Sequence, residues 1–182
     1  MKAIISHDID HITVWEHLFK DTIIPKYMIR MHVELLKNKI SLREYTLRWS
    51  DLFKNKWQNI DELVTFNNIN LVPSSFFIAV NKGVGLNYSN ESALLWIEQM
   101  QRRNCEIGIH GIDFDDEKLI KREFDLFSSL TKINSFGIRM HYVRNTRETF
   151  SQLAKAGYTY DSTECSFKDP YKIGEMWEFP FQ

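Results

Sequence analysis

Short apolar runs alternating with longer amphipathic stretches constrain this chain more than any other feature. Lys2 to Ser6, Ser74 to Val80, Cys105 to Ile109, Phe136 to Arg139 and Tyr158 to Tyr160 read as strands, with a sixth at Met176 to Phe179. Between them the apolar residues recur at helical spacing: Leu94, Leu95, Ile97 and Met100, then Leu119, Ile120, Phe124 and Phe127. A strand that must cross a helix before the next strand builds parallel βα units, so the expected architecture is an α/β sheet or barrel.

The first crossover is anomalous. About 55 residues of helical pattern, roughly Ile12 to Asn67, separate the first two strands, far more than one crossover requires. The surplus, residues 25–67, is expected to be a helical insertion in one 182-residue domain. Pro25 suits the first turn of the helix carrying Met28, Met31, Leu35 and Leu36. Ser41 with Glu44, Asn59 with Glu62 and Asn145 with Glu148 have capping-box spacing, and Tyr45, Trp49, Phe53 and Trp57 are expected to pack the insertion.

Composition removes several classes of function. With 43% hydrophobic and 14% aromatic residues the chain can fill a core, and 23 basic against 24 acidic side chains leave no basic block to grip a phosphate backbone. Nucleic acid is not an expected partner. No apolar run reaches the length of a membrane span, and MKAIISHD lacks the apolar region of a secretory signal, which points to the cytoplasm. Cys105 and Cys165 stand in no metal-binding or redox motif and are expected as free thiols.

In a barrel of βα units, chemistry gathers where strands end. Three polar clusters fall there: His7-Asp8-Ile9-Asp10-His11, His110, and Arg139-Met140-His141-Tyr142. Two carboxylates two residues apart on extended backbone project the same way, so one can hold a cation while the other faces water. Aspartate and imidazole with open positions suit Zn²⁺, with Fe²⁺, Co²⁺ or Ni²⁺ as alternatives, better than Ca²⁺ or Mg²⁺. Each piece has a plainer reading: Asp8 and Asp10 as helix caps, His110 as a structural imidazole, Arg139 as a surface cation. Facing two aspartates, a fixed Arg139 would orient one of them as a base through charge-assisted bonds.

Taken in order, SHDID, CEIGIHG, GIRMHY and AGYTYDST resemble segments of the polysaccharide deacetylases of carbohydrate esterase family 4. The resemblance implies a distorted, seven-stranded (β/α) barrel. It implies Asp8 as general base, Asp10 and His110 as metal ligands and Arg139 as the residue that positions the base. HDIDH, EIGIHGIDFDD and GIRMHYVR look more narrowly like the subgroup of O-antigen and capsule gene clusters, which implies removal of an N-acetyl group from a surface-polysaccharide precursor.

Two departures matter. Most of the family carries a second histidine four residues after the first, where this chain has Phe114. Candidates for the third ligand are His141, Asp113, Asp115 and His11, with His141 preferred because its strand-end imidazole could replace the one lost; it could instead protonate the departing amine. The second departure is at the C-terminus, where relatives carry a further strand with a histidine acting as general acid. With at most six strands found, the barrel is expected to be incomplete, leaving an edge that proteins usually cover: either another chain, such as a second copy, closes it, or the sequence is a shortened form of a longer protein. Two rivals stay open: a cyclic-amide hydrolase of the allantoinase kind, and a non-catalytic saccharide-binding barrel using Trp57, Trp96 and Trp177.

Overall fold

The computed structural model describes residues 5–17, 21–55 and 57–181. Seven strands, β1 (Ile5–Ile9), β2 (Ser74–Ile78), β3 (Glu106–Gly111), β4 (Ile138–Met140), β5 (Tyr160–Asp161), β6 (Tyr171–Ile173) and β7 (Met176–Glu178), form one sheet in the order β1-β2-β3-β4-β5-β7-β6. Every pairing is parallel except the β6/β7 hairpin. The α/β expectation holds, but the sheet is open among the described residues: β1 and β6 end the order and do not pair.

Among the described residues six α-helices accompany the sheet. Those of the long first crossover are α1 (Ile23–Leu36), α2 (Leu42–Phe53) and α3 (Ile60–Ile69); α4 (Asn90–Arg102), α5 (Glu117–Thr131) and α6 (Thr149–Ala156) follow β2, β3 and β4. Strands covered on both faces should be apolar throughout, and Phe76, Phe77 and Ile78 of β2 and Ile107 and Ile109 of β3 are buried accordingly. Ile97 of α4, Ile120 and Phe127 of α5 and Leu153 of α6 complete the core. Gly137 has a reason to be glycine: a Cβ there would land on the Tyr160 ring.

Several local expectations need correction. The first strand does not end at Ser6; it continues to Ile9 because β2 supplies a hydrogen-bonding partner along its length, from Ile5↔Ser74 to Ile9↔Ile78. Lys2 to Ile4 of the expected strand lie outside the described residues. Asp8 therefore sits on the strand and Asp10 directly after it. β5 begins at Tyr160 rather than Tyr158 and includes Asp161. One strand has no counterpart in the sequence reading: β6 turns into β7 through Gly174 and Glu175, a two-residue hairpin turn with Gly174 at φ +61. The count among the described residues is thus seven strands, not six.

Capping shows the same mixture. Ser41 accepts from the Glu44 N–H, but the Glu44 carboxylate turns to Arg48 instead of closing the box. Asn59 makes no side-chain cap, because Gln58 accepts the Ile60 N–H in its place. At α6 neither Asn145 nor Glu148 caps; Thr149 accepts the Thr146 N–H and donates to the Phe114 carbonyl. Pro25 lies in the first turn of α1 as expected, where its missing N–H costs nothing.

The helices of the long first crossover pack loosely at α2. No residue of α2 is fully buried, and Phe53 is 82% exposed although it stacks on Trp49. Arg48, paired with Glu34 of α1 at 2.7 Å, and the rings of Tyr45 and Trp49 against His32 tie α2 to α1, while Glu44 of α2 itself holds the other arm of Arg48 at 2.6 Å. Cys105 is buried and Cys165 exposed, both free. Among the described residues no helix is long and apolar enough to cross a membrane.

Candidate metal centre

The sheet curves enough for Arg139 of β4 to reach across to β1. Its Nη1 donates to Asp8 Oδ1 at 3.1 Å and its Nη2 to Ser6 Oγ at 2.7 Å, while Nε donates to the Ser162 carbonyl at 2.9 Å. Phe77 and Phe181 lie against the guanidinium at 4.7 and 5.2 Å. A cation held by so many fixed partners cannot swing away, so Asp8, itself partly exposed, is oriented from behind.

Beside this pair the ends of β1, β3 and β4 bring three further side chains together. Asp10 Oδ1 lies 3.2 Å from His110 Nε2 and 3.5 Å from His141 Nδ1, and the three atoms all fall within 4.8 Å of one another. Both imidazoles are buried, at 2% and 4% exposure. The remaining nitrogen of each ring is committed elsewhere: His110 Nδ1 faces the Arg139 carbonyl and His141 Nε2 faces the Val84 carbonyl, each at 3.1 Å. If those carbonyls take the ring N–H groups, His110 Nε2 and His141 Nδ1 are lone pairs, and they stand 2.8 Å apart.

Two lone pairs beside a carboxylate repel unless something positive lies among them. Among the described residues, Asp10 Oδ1 is also buried without a directed hydrogen bond. In the other protonation state, with the rings donating, hydrogen bonds from His110 and then from His141 hold the Asp10 carboxyl below the ordinary carboxylate range, against the opposing effect of burial. An orphaned carboxylate oxygen and two oriented imidazoles fit a divalent transition ion, and the carbonyls behind the rings are the usual outer support of such ligands. The donor set fits the metal expected from the sequence without fixing which metal it is.

The other candidates for the third ligand lie apart from this cluster. Asp113 accepts from Asn81 at 3.3 Å, Asp115 is exposed, and His11 gathers with Glu16 and His17. Among the described residues neither Asp8 nor Asp10 caps a helix; the backbone after Asp10 is held instead by Glu16, which accepts the Ile12 and Thr13 N–H groups at 2.8 and 3.0 Å. Phe114 packs against the core with Arg144 over its ring at 4.9 Å. A cleft of about 180 Å³ opens beside Asp8 and Asp10, lined in part by His7, His11, Trp57 and Phe76. Trp96 belongs to the helical layer against the core and Trp177 is 42% exposed on β7.

Supporting residues escape the sequence reading. Thr163 accepts the Met140 N–H at 2.9 Å and donates to Asp161 at 2.6 Å, locking the strand end that carries Arg139 and His141. Asp161 lies opposite Glu178 in the β5/β7 register, both wholly buried, and burial pushes both carboxyls up. The loop after β2, which holds Gly83 and Gly85, presents the Val84 carbonyl to His141.

Glu123 of α5 braces the backbone that leaves His110, accepting the Ile112 N–H at 3.3 Å. Burial, reinforced by the charge of Asp113, pushes its carboxyl up to about 8. A raised acid is protonated in the folded chain and ionised in the unfolded one, so its contribution is complete below the ordinary value of 4.5 and disappears as pH rises through about 8. Stability should fall across that window by up to about 1.4 kcal/mol per pH unit for this one proton. Urea midpoints at pH 5 and pH 8 check it: Glu123→Gln should flatten the decline, and an unchanged slope would show that Glu123 does not cause it.

No family model and no curated protein sequence matches the chain. Among solved structures, the whole chain (100%) aligns with 59% of a "putative polysaccharide deacetylase" from Mycobacterium smegmatis, with a TM-score of 0.60 and 19% identity. The chain has that protein's fold. It spans less than two thirds of that protein's length. A "putative polysaccharide deacetylase involved in o-antigen biosynthesis" from Bordetella bronchiseptica aligns over 65% of this chain and 52% of its own, at a TM-score of 0.39 and 17% identity, too distant in shape to add weight. The open sheet described above is thus a deacetylase-like α/β sheet, reached by backbone geometry at an identity where sequence alone finds no partner.

Proposed function

We propose that this chain carries a metal-dependent deacetylase site that removes an N-acetyl group from a sugar of a surface-polysaccharide precursor, within a single domain interrupted by residues 25–67. One observation supports it above the others: a carboxylate and two oriented imidazoles converge beside an aspartate that a fixed arginine holds in place. Asp10, His110 and His141 would hold the ion. When bound, it supplies Lewis acidity, polarising the acetamide carbonyl and making water more acidic.

Asp8 then takes the proton of the attacking water on a carboxylate oxygen. Arg139 keeps that carboxylate aimed, with Ser6 and Ser162 fixing the guanidinium in turn. The cleft lined by His7, His11 and Trp57 is where the sugar bearing the acetamide would lie. The test is acetate release from N-acetylated oligosaccharides and nucleotide sugars, run before and after chelation and after adding back Zn²⁺ or Co²⁺. Release that chelation abolishes and metal restores is expected. Ring opening of a cyclic amide without acetate would support the allantoinase-like rival, and saccharide binding that persists without turnover would support the binding-module rival.

A further inference from the structure

A second cluster of metal-binding type lies one residue along from the first. Asp10 belongs to the site described above, and its neighbour His11 faces the other way, towards Glu16 and His17 of the 3-10 turn Trp15–His17. The ligating atoms of His11, Glu16 and His17 all lie within 4.8 Å of one another. His17 is wholly buried, Glu16 is 7% exposed, and Trp57 closes the cluster with its ring 5.8 Å from that of His11 and 5.5 Å from that of His17.

The hydrogen bonds of this cluster leave two ring nitrogens over. His17 Nδ1 lies 2.7 Å from Asp21 Oδ2, and that carboxylate is itself held by Asn87 at 2.9 Å and by the Ile23 N–H. If Nδ1–H donates to Asp21, His17 Nε2 is a lone pair 3.2 Å from Glu16 Oε1. Among the described residues, both His17 Nε2 and His11 Nδ1 are buried without a hydrogen-bond partner. An extra proton on His17 would reconcile Nε2 with Glu16 but would leave His11 Nδ1 buried and unsatisfied, a cost of about 1–3 kcal/mol. A cation bound to all three atoms removes every conflict at once.

We propose that His11 Nδ1, Glu16 and His17 Nε2 form a second metal site, separate from the Asp10 site, taking a divalent transition ion of the Zn²⁺ class. Two imidazoles and one carboxylate are the donors that class prefers, and Asp21 behind His17 is the outer carboxylate that sets the ring's tautomer. Enclosure beneath Trp57 makes it a structural clip. The ion would pin the segment leaving β1, and so would fix where the chain carries Asp10.

The test counts metal in the full chain, with Zn²⁺ or Co²⁺ as the only probe. Equilibrium dialysis should give two equivalents for the wild type. The double variant His110→Ala/His141→Ala should keep one equivalent, and adding His11→Ala to it should remove that one. Asp21→Asn, which leaves all three ligands in place, should weaken the retained equivalent about 10- to 100-fold, which keeps the proposal testable if the His11 variant does not fold. Metal lost completely from the His110/His141 double variant, or retained unchanged in both the His11 and Asp21 variants, overturns the second site; a first site that fails shows instead as full occupancy surviving His110→Ala/His141→Ala.

Discussion

His110→Ala is expected to lose the ion at the Asp10 site and, with it, measurable acetate release. His110 lies between the other two candidate ligands, 3.2 Å from Asp10 Oδ1 and 2.8 Å from His141 Nδ1, so its removal leaves a carboxylate and one imidazole with no bridge. Two ligands hold a transition ion far more weakly than three at neutral pH. Without the ion, the polarisation it gives a carbonyl is gone, a contribution of several kcal/mol to transition-state stabilisation. Each 1.36 kcal/mol is tenfold in rate, so a loss of at least about a thousandfold is expected. The substitution also frees the Arg139 carbonyl, so metal content by elemental analysis and melting temperature should be read alongside kcat. Full metal content with normal turnover would exclude His110 as a ligand.

Asp8→Asn should separate chemistry from binding. The amide is isosteric and its oxygen can still accept from Arg139, so the local geometry is retained, but it cannot take a proton from water. General-base contributions are commonly about 10²- to 10⁴-fold, and the loss should appear in kcat rather than KM. Metal content should be unchanged because Asp8 is not among the three converging atoms. Turnover within about threefold of wild type would remove Asp8 from the base role, since the contribution of such a base begins near a hundredfold.

Much of the site is legible in the sequence because the polar residues stand at strand ends, where a parallel sheet collects them. That rule points to the clusters that contain Asp8, Asp10, His110 and Arg139, their individual roles come from the family resemblance, and the preference for His141 among four candidates rests on its strand-end position; the chain brings it 3.5 Å from Asp10. What is not legible is the support behind these residues. That the Val84 carbonyl meets His141, or that Thr163 bridges Met140 and Asp161, depends on contacts across 57 and 23 residues that no local pattern encodes. His11 stands beside Asp10 in the sequence, and that adjacency hides the fact that the ligating atoms of the two side chains fall in different clusters.

The fold is legible at the level of element type and less so at its edges. α5, with an apolar face and Asp116 accepting from Lys118 and Leu119, follows its pattern almost to the residue. β6 escapes because three residues carry too little periodicity to separate a strand from a loop, and pairing with β7 decides the matter. β1 runs on through His7 and Asp8 for the same reason: β2 lies alongside, and tertiary pairing overrides the polarity of the side chains.

The most direct measurement is an anomalous-difference map from crystals of the full chain grown with Zn²⁺ or Co²⁺. The expected result is a peak bonded to Asp10 Oδ1, His110 Nε2 and His141 Nδ1, at about 2.0–2.2 Å from each donor, with Asp8 close by but not coordinated. At saturating metal, a map without density among those three atoms, their rings still hydrogen-bonded to each other, would contradict the metal centre.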